Sequence, residues 1–262
     1  MIRALYTAAS GMSAQQLNLD TIANNLANSS TTGFRQSRLE FQDMVYQNLV
    51  TPGAAQSQST VSAGLQIGLG TKSAETEVLQ TQGALNQTGN EYDVAIEGSG
   101  FFQVQRPDGS IAYTRAGQFQ LNNQGTIVTT DGDPIIPTIT IPANATAVTI
   151  TQYGVVNATL AGQQNPSQLG QLQLATFPNP GGLESMGSNL LQTTLSSGDP
   201  VLGNPGGTEG LGTLQQGYLE NSNVDVVTMF VQMVLAQRAY ESNSKVIKAA
   251  DDMYSQVNNM TR

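Results

Sequence analysis

Cysteine, histidine and tryptophan are all missing from this chain of 262 residues. Without cysteine there are no disulfides and no thiol chemistry; without histidine the commonest general base and the commonest zinc ligand are gone together. Charge is scarce as well, with Asp, Glu, Lys and Arg making up 11% of residues and a balance of −9. An acidic chain with no basic patch and no interleaved aromatics has nothing to grip a phosphate backbone, which argues against nucleic acid as a partner. Apolar runs long enough to cross a bilayer are also missing, so no direct membrane insertion is expected. The opening Met1-Ile-Arg-Ala-Leu-Tyr6 enters a helical pattern at once and lacks the apolar core of a secretory leader. Composition alone therefore suggests a cytoplasmic protein. What is plentiful is glycine, 27 in all, together with β-branched residues, a mixture that suits turn-rich β structure.

The first strong pattern is a helix. Ile2, Leu5, Ala9, Met12, Leu19, Ile22, Ala23 and Leu26 recur at three- and four-residue steps, interrupted only by Gln16. This is a heptad seam on a helix of about 27 residues, roughly 40 Å long. Its other face carries Gln15, Asn18, Asn24, Asn25 and Asn28, with only Arg3 and Asp20 charged, a composition suited to a face shared with other protein. Ordering such a helix costs on the order of 1–2 kcal/mol per residue, and each large buried side chain returns only about 1.5–3 kcal/mol. The stripe alone cannot hold it; the rest of the chain, or other copies of it, must contribute.

From Phe34 to Gly70 the sequence reads as extended and irregular, broken at Thr51-Pro-Gly53. Within it, Phe41 and Val45 are spaced to share one side of a single helical turn, which predicts a short helix there. Residues 90–210 read as β structure. Tyr92, Val94 and Ile96 alternate with charged residues as in a half-buried strand, Phe102 and Val104 continue the pattern, and Pro107-Asp-Gly109 turns the chain into Ile111 and Tyr113. Phe119 and Leu121 lead through the turn 122–125 to Ile127 and Val128; further strands are expected at 138–141, 147–151 and 171–177. Glycine and proline dominate 181–217, which reads as a loop-rich return. A final helix opens at Ser222, with Asp225 completing a capping box. Its broad apolar face of Val226, Val227, Phe230, Val231, Val234 and Leu235 narrows to Val246, Ala250, Met253, Val257 and Met260. Glu241 with Lys245, and Lys248 with Asp252, are expected surface pairs. The fold class is thus α+β: paired N- and C-terminal coiled-coil-like helices, an extended connecting segment and a central all-β domain.

Catalytic readings find little support. Ser242-Asn-Ser-Lys245 matches a Ser-x-x-Lys nucleophile motif, but lies mid-helix without the companion motifs. Gly68/Gly70 and Gly98/Gly100 lack the strand–loop–helix context of phosphate loops, and Asp131-Gly-Asp133 lacks calcium-loop spacing. Neither an enzyme nor a cofactor is expected.

Six stretches carry a resemblance. Residues 8–35, with Leu19-Asp-Thr-Ile-Ala-Asn-Asn-Leu-Ala-Asn28 and Thr32-Gly-Phe-Arg35, resemble the N-terminal signature of the bacterial flagellar rod and hook axial proteins. Gly100-Phe-Phe102, Tyr113-Thr-Arg-Ala-Gly-Gln-Phe119, Glu220-Asn-Ser-Asn-Val224 and Gln237-Arg-Ala-Tyr-Glu-Ser-Asn-Ser-Lys245 resemble motifs of the same family. Residues 46–70 resemble a segment found in its distal rod subunits. The resemblance implies a structural subunit that polymerises into a straight, rigid distal rod and passes torque to the hook. It divides the chain into an N-terminal assembly helix (1–33), a connecting segment with export and stiffening elements (34–80), a β-rich outer domain (81–215) and a C-terminal assembly helix (216–262). It implies an assembly interface of Ile2, Leu5, Met12, Leu19, Ile22, Leu26, Phe230, Val234, Val246, Met253, Val257 and Met260. Phe41 and Val45 become the export-gate element, and Tyr46, Pro52, Gly53, Leu65, Ile67 and Gly70 the stiffening segment. The implied partners are other copies of the chain in a helical homopolymer, proximal rod proteins, the hook protein or its junction, the surrounding P and L ring proteins, and the type III export apparatus. The implied location is the basal body, from periplasm to outer membrane, reached by type III export without a cleaved leader. Rival readings are a proximal rod subunit of the same family and, in another class, a β-rich surface adhesin or binding module; 6% aromatics and no tryptophan speak against the latter.

Overall fold

A computed structural model describes residues 2–50, 55–56, 59–60, 64–163, 165–207 and 210–260. The chain divides into two compact units, one of Met1–Ala27, Ser37–Val78 and Asp225–Arg262, the other of Asn28–Gln36 and Leu79–Val224.

The first unit contains two long helices, α1 (Ile2–Ala27) and α2 (Val226–Met260), and a β ribbon. The helices pack on each other: Asn25 Nδ2 lies 3.9 Å from Met229 Sδ, and a Cβ at Gly11 would come within 2.8 Å of Asn243 Nδ2. The pairs 25/229 and 11/243 advance in opposite directions, so the packing is antiparallel. Ala8, Ala14, Ile22 and Asn25 of α1 are buried, as are Met229, Ala236 and Ala250 of α2. Small side chains at the contact let the two backbones approach, since the distance between packed helices depends on the side chains where they meet. Buried Asn25 also exchanges two hydrogen bonds with Ser37, donating to its carbonyl (2.7 Å) and accepting from its amide (2.9 Å). A side-chain amide thereby imitates one rung of a β ladder and fixes where the ribbon leaves α1.

The expected cap of α2 is corrected by one turn. Ser222 accepts only from the Val224 amide (3.3 Å), while Asp225 takes the Val227 amide (3.0 Å) and the Thr228 hydroxyl (2.6 Å). Those bonds, Thr228 first, hold the Asp225 carboxyl below its ordinary pKa. The helix cannot start at Ser222 because Asn221 and Asn223 are committed to β-unit backbone, donating to the carbonyls of Ala84 and Leu79 respectively. Glu241 is also paired differently, with Arg238 (3.1 Å) rather than Lys245, and no ion pair joins Lys248 to Asp252.

The described residues between Ser37 and Val78 correct the reading as irregular chain. They form a nested ribbon in which β1 (Ser37–Asp43) pairs with β6 (Thr71–Val78), β2 (Tyr46–Val50) with β5 (Leu65–Gly68), and β3 (Ala55–Gln56) with β4 (Ser59–Thr60), all antiparallel. The short helix expected at Phe41–Val45 is absent: Phe41 lies in β1 and Val45 in the break before β2. The i,i+4 spacing also fits a strand, whose period of two returns to the same face after four residues.

The second unit is β structure around one main core. Its largest sheet runs in the order Glu184–Gly187, Leu190–Gln192, Ile111–Thr114, Phe101–Gln105, Leu174–Thr176, Val201–Gly203, with Ile135–Ile136 also on Phe101–Gln105. A three-stranded sheet joins Ala145–Ile150, Val155–Leu160 and Ser167–Gln171; Val94–Glu97 pairs with Thr213–Gln216, and Leu85–Gln87 with Tyr218–Glu220. Val94, Ala95 and Ile96 are all buried, so this strand is covered on both faces rather than half-buried. Phe102, Phe119, Ile135, Val156 and Leu174 meet in the main core. Phe101, Tyr113 and Phe177 form a second cluster, Tyr113 edge-on to Phe177 at 4.9 Å. Two further expectations are corrected. Residues 138–141 contribute only an isolated bridge at Thr140, the strand lying instead at Ile135–Ile136, and 181–217 contains several short strands rather than a loop-rich return.

Candidate assembly surfaces and a buried ion cluster

Apolar surface left open is concentrated in the first unit. On α2, Val227, Phe230, Val231, Val234 and Leu235 are all more than half exposed, within a run from Val226 to Gln237 that holds no charged residue. Val246, Met253, Val257 and Met260 continue the exposure to the end of the helix. On α1 the expected seam is only partly covered: Ile22 is buried, Leu5, Met12, Leu19 and Leu26 are half-buried, and Ala9 and Ala23 are exposed. The side chain of Ile2 lies outside the described residues.

The ribbon adds a second apolar surface. Its register places Gln47 beside Ile67 and, after an irregularity between Asn48 and Val50, Val50 beside Leu65. One face therefore carries Val50, Leu65 and Ile67, the other Tyr46, Asn48 and Gln66, with the Tyr46 ring against Gly68. Gly70, with φ +123°, packs against Thr7 and Ser10 of α1, where a Cβ would meet the Ser10 hydroxyl. Phe41, Met44, Val45, Tyr46 and Leu49 are exposed too. Pro52 and Gly53 of the expected stiffening segment lie outside the described residues.

A different kind of site is buried in the second unit. Glu220, 1% exposed, sits between two arginines: Arg35 Nη2 reaches Oε1 at 2.8 Å and Arg115 Nε reaches Oε2 at 2.6 Å. Arg115 also donates to the carbonyls of Ile96, Gly98 and Gly100. Arg35 donates to the Thr81 carbonyl, but its Nε is buried without a partner among the described residues. Burial is the main force lowering the Arg35 pKa, with Arg115 adding to it and Glu220 opposing. Glu220 further accepts the Gly83 amide on Oε1 (2.9 Å), and its backbone carbonyl accepts the Gly33 amide (2.8 Å). Gly33 is required here: φ is +69°, and a Cβ would lie 2.8 Å from the backbone of Arg115 and Ala116. Thr32-Gly-Phe-Arg35, Tyr113-Thr-Arg115 and Glu220-Asn-Ser-Asn223, far apart in sequence, are thus one structural feature. Sequence reasoning noted each motif but not their meeting. The available signal was an arginine closing an apolar strand and an acid beside Leu219 in a chain so poor in charge.

Open apolar surface of this extent, spread along a helix and a ribbon, suits a protein that packs against other protein. Comparison with known proteins agrees. Residues 5–35 match the family described as flagella basal body rod protein, residues 95–158 the flagellar hook protein FlgE/F/G D1 domain, and residues 215–260 the flagellar basal body rod FlgEFG protein C-terminal. The flagellar basal-body rod protein FlgG of Buchnera aphidicola (Acyrthosiphon pisum) is 49% identical over 99% of this chain and 100% of its own length. Its counterparts in Borreliella burgdorferi and Bacillus subtilis are 45% and 40% identical, each over 100% of both chains. The chain belongs to the flagellar basal-body rod protein family.

Proposed function

We propose that the chain is a structural subunit that polymerises with copies of itself into the straight, rigid distal rod of the flagellar basal body and passes torque to the hook. The observation that carries this reading, beside full-length kinship with rod proteins, is the uncharged apolar run of α2, left open in a single chain. In the polymer, α1 and α2 form a coiled-coil-like pair whose open stripe is covered by neighbouring copies. Proximal rod proteins and the hook protein or its junction meet the two ends of the polymer, and the P and L ring proteins surround it. Delivery is by type III export, with exposed Phe41 and Val45 offered to the export gate.

The test uses Phe230→Asp and Val234→Asp. Both positions are about half exposed, at 51% and 53%, so the substitutions are expected to leave the single chain folded by circular dichroism. Electron microscopy should then show tubes from the parent chain and none from either variant. Tubes of normal length from both would overturn the reading.

The ribbon is proposed to brace neighbouring copies through its Val50–Leu65–Ile67 face. A two-stranded ribbon with an open apolar face is marginal in water and gains order when that face is covered. Replacing residues 45–69 with a two-residue Asn-Gly turn, so that Met44 and Gly70 flank it in the β1/β6 register, is expected to give tubes that bend. The check is persistence length in micrographs; unchanged stiffness would count against bracing.

A further inference from the structure

We propose that the Arg35–Glu220–Arg115 cluster is a clasp that makes the ordering of residues 32–36 conditional on the arrival of residues 215–224. The contacts of residues 32–36 with the rest of their unit fall mainly on that later segment. Gly33 donates to the Glu220 carbonyl, and Arg35 pairs with the Glu220 carboxylate. The Gln36 amide donates to Asn223 Oδ1 (2.7 Å), and the Asn223 amide reaches the Phe34 carbonyl (3.4 Å). Asn223 Nδ2 meanwhile holds the carbonyls of Leu79 and Thr81, tying a third segment to the same point. Among the described residues the other hydrogen bonds to later segments are the Leu79 amide to the Gln36 carbonyl, Arg35 to the Thr81 carbonyl, and Asn189 Nδ2 to the Thr32 carbonyl at 3.5 Å, beside the close approach of Gly33 to the Arg115–Ala116 backbone.

Before Glu220 is in place, Arg35 has no reason to enter. It would have to be desolvated beside Arg115, a like charge, with one carbonyl as its reward and its Nε left bare. Arg115 is not so dependent, because three backbone carbonyls converge on its guanidinium. The cluster is therefore asymmetric: Arg115 belongs to the β core, Glu220 is the latch, and Arg35 is the residue released when the latch is absent. A chain in which residues 215–224 have not yet docked keeps residues 32–36 open. This inference is independent of the rod reading, since it concerns one chain and one unit.

Site-resolved amide hydrogen exchange on the full-length chain tests it. In Glu220→Gln, the Gly33, Phe34 and Gln36 amides should lose protection by roughly 100-fold, while amides of Phe102, Val104 and Leu174 keep theirs. Arg35→Met, which leaves Arg115 and Glu220 as a neutral pair, should give the same local loss and keeps the test available if Glu220→Gln does not fold. Equal loss across core and segment would reduce the cluster to general stabilisation and overturn the clasp; so would undiminished protection of residues 33–36 in Arg35→Met.

Discussion

Arg115→Met is expected to lower the stability of the β unit by about 3–5 kcal/mol, the range for breaking a buried ion pair from one side. Methionine fills most of the volume but donates nothing. Glu220 Oε2 then loses its 2.6 Å partner, and the carbonyls of Ile96, Gly98 and Gly100 lose a donor together. Each unsatisfied buried group carries a cost of its own, about 1–3 kcal/mol. Urea unfolding followed by tyrosine fluorescence measures the loss. Arg115→Lys is a useful companion, since a point charge restores attraction to Glu220 but cannot reach three carbonyls with one fork. It should recover less than half of the loss. A cost below about 1 kcal/mol for Arg115→Met would mean that the carbonyls find other donors and that the arginine is not the anchor described above.

Phe102→Ala should be comparably severe, at about 3–5 kcal/mol. The ring is fully buried in the main core and stands edge-on to Phe119, with centroids 5.0 Å apart. Its strand is paired on both sides, with Ile111–Thr114 and with Leu174–Thr176, so the backbone has little freedom to close the cavity. Thermal unfolding of the purified chain supplies the check. Phe102→Leu, which keeps most of the volume, should cost markedly less; equal costs would show that the site collapses around either residue.

The elements readable from sequence are those whose apolar residues recur within one window. The helical spacing of α1 and α2, the strand around Phe102 and Val104 and the turn at Asp108-Gly109 each announce themselves in this way. The face each helix buries does not: of the described α1 seam only Ile22 is buried, and the apolar stripe of α2 stays mostly open. The β2–β5 pair of the ribbon did not announce itself either, because both faces of these strands are open: they are exposed at every position, and alternation marks a strand only when one face is covered. The strands within 181–217 escaped for a related reason. They are three or four residues long, and two of them, Glu184–Gly187 and Val201–Gly203, lie at the sheet's edges, where glycine, proline and polar residues are tolerated. Cap placement at α2 was missed by three residues, since Ser222 is a good cap in isolation but its neighbours are claimed by distant backbone.

By itself the amino-acid sequence determined the helix–β–helix order, the absence of thiol and imidazole chemistry, and a family signature long enough to name the kind of protein. These follow from composition and from contacts between residues a few positions apart. Only the tertiary structure decided that α1 meets α2 on a face rich in alanine, glycine and asparagine, that the strands from Ser37 to Val50 pair back with those from Leu65 to Val78, and that Arg35, Arg115 and Glu220 share one buried site. The reason is physical. A glutamate is stable away from water only beside a partner of opposite charge, and the residues that meet there are up to 185 positions apart, too far for any local pattern to register.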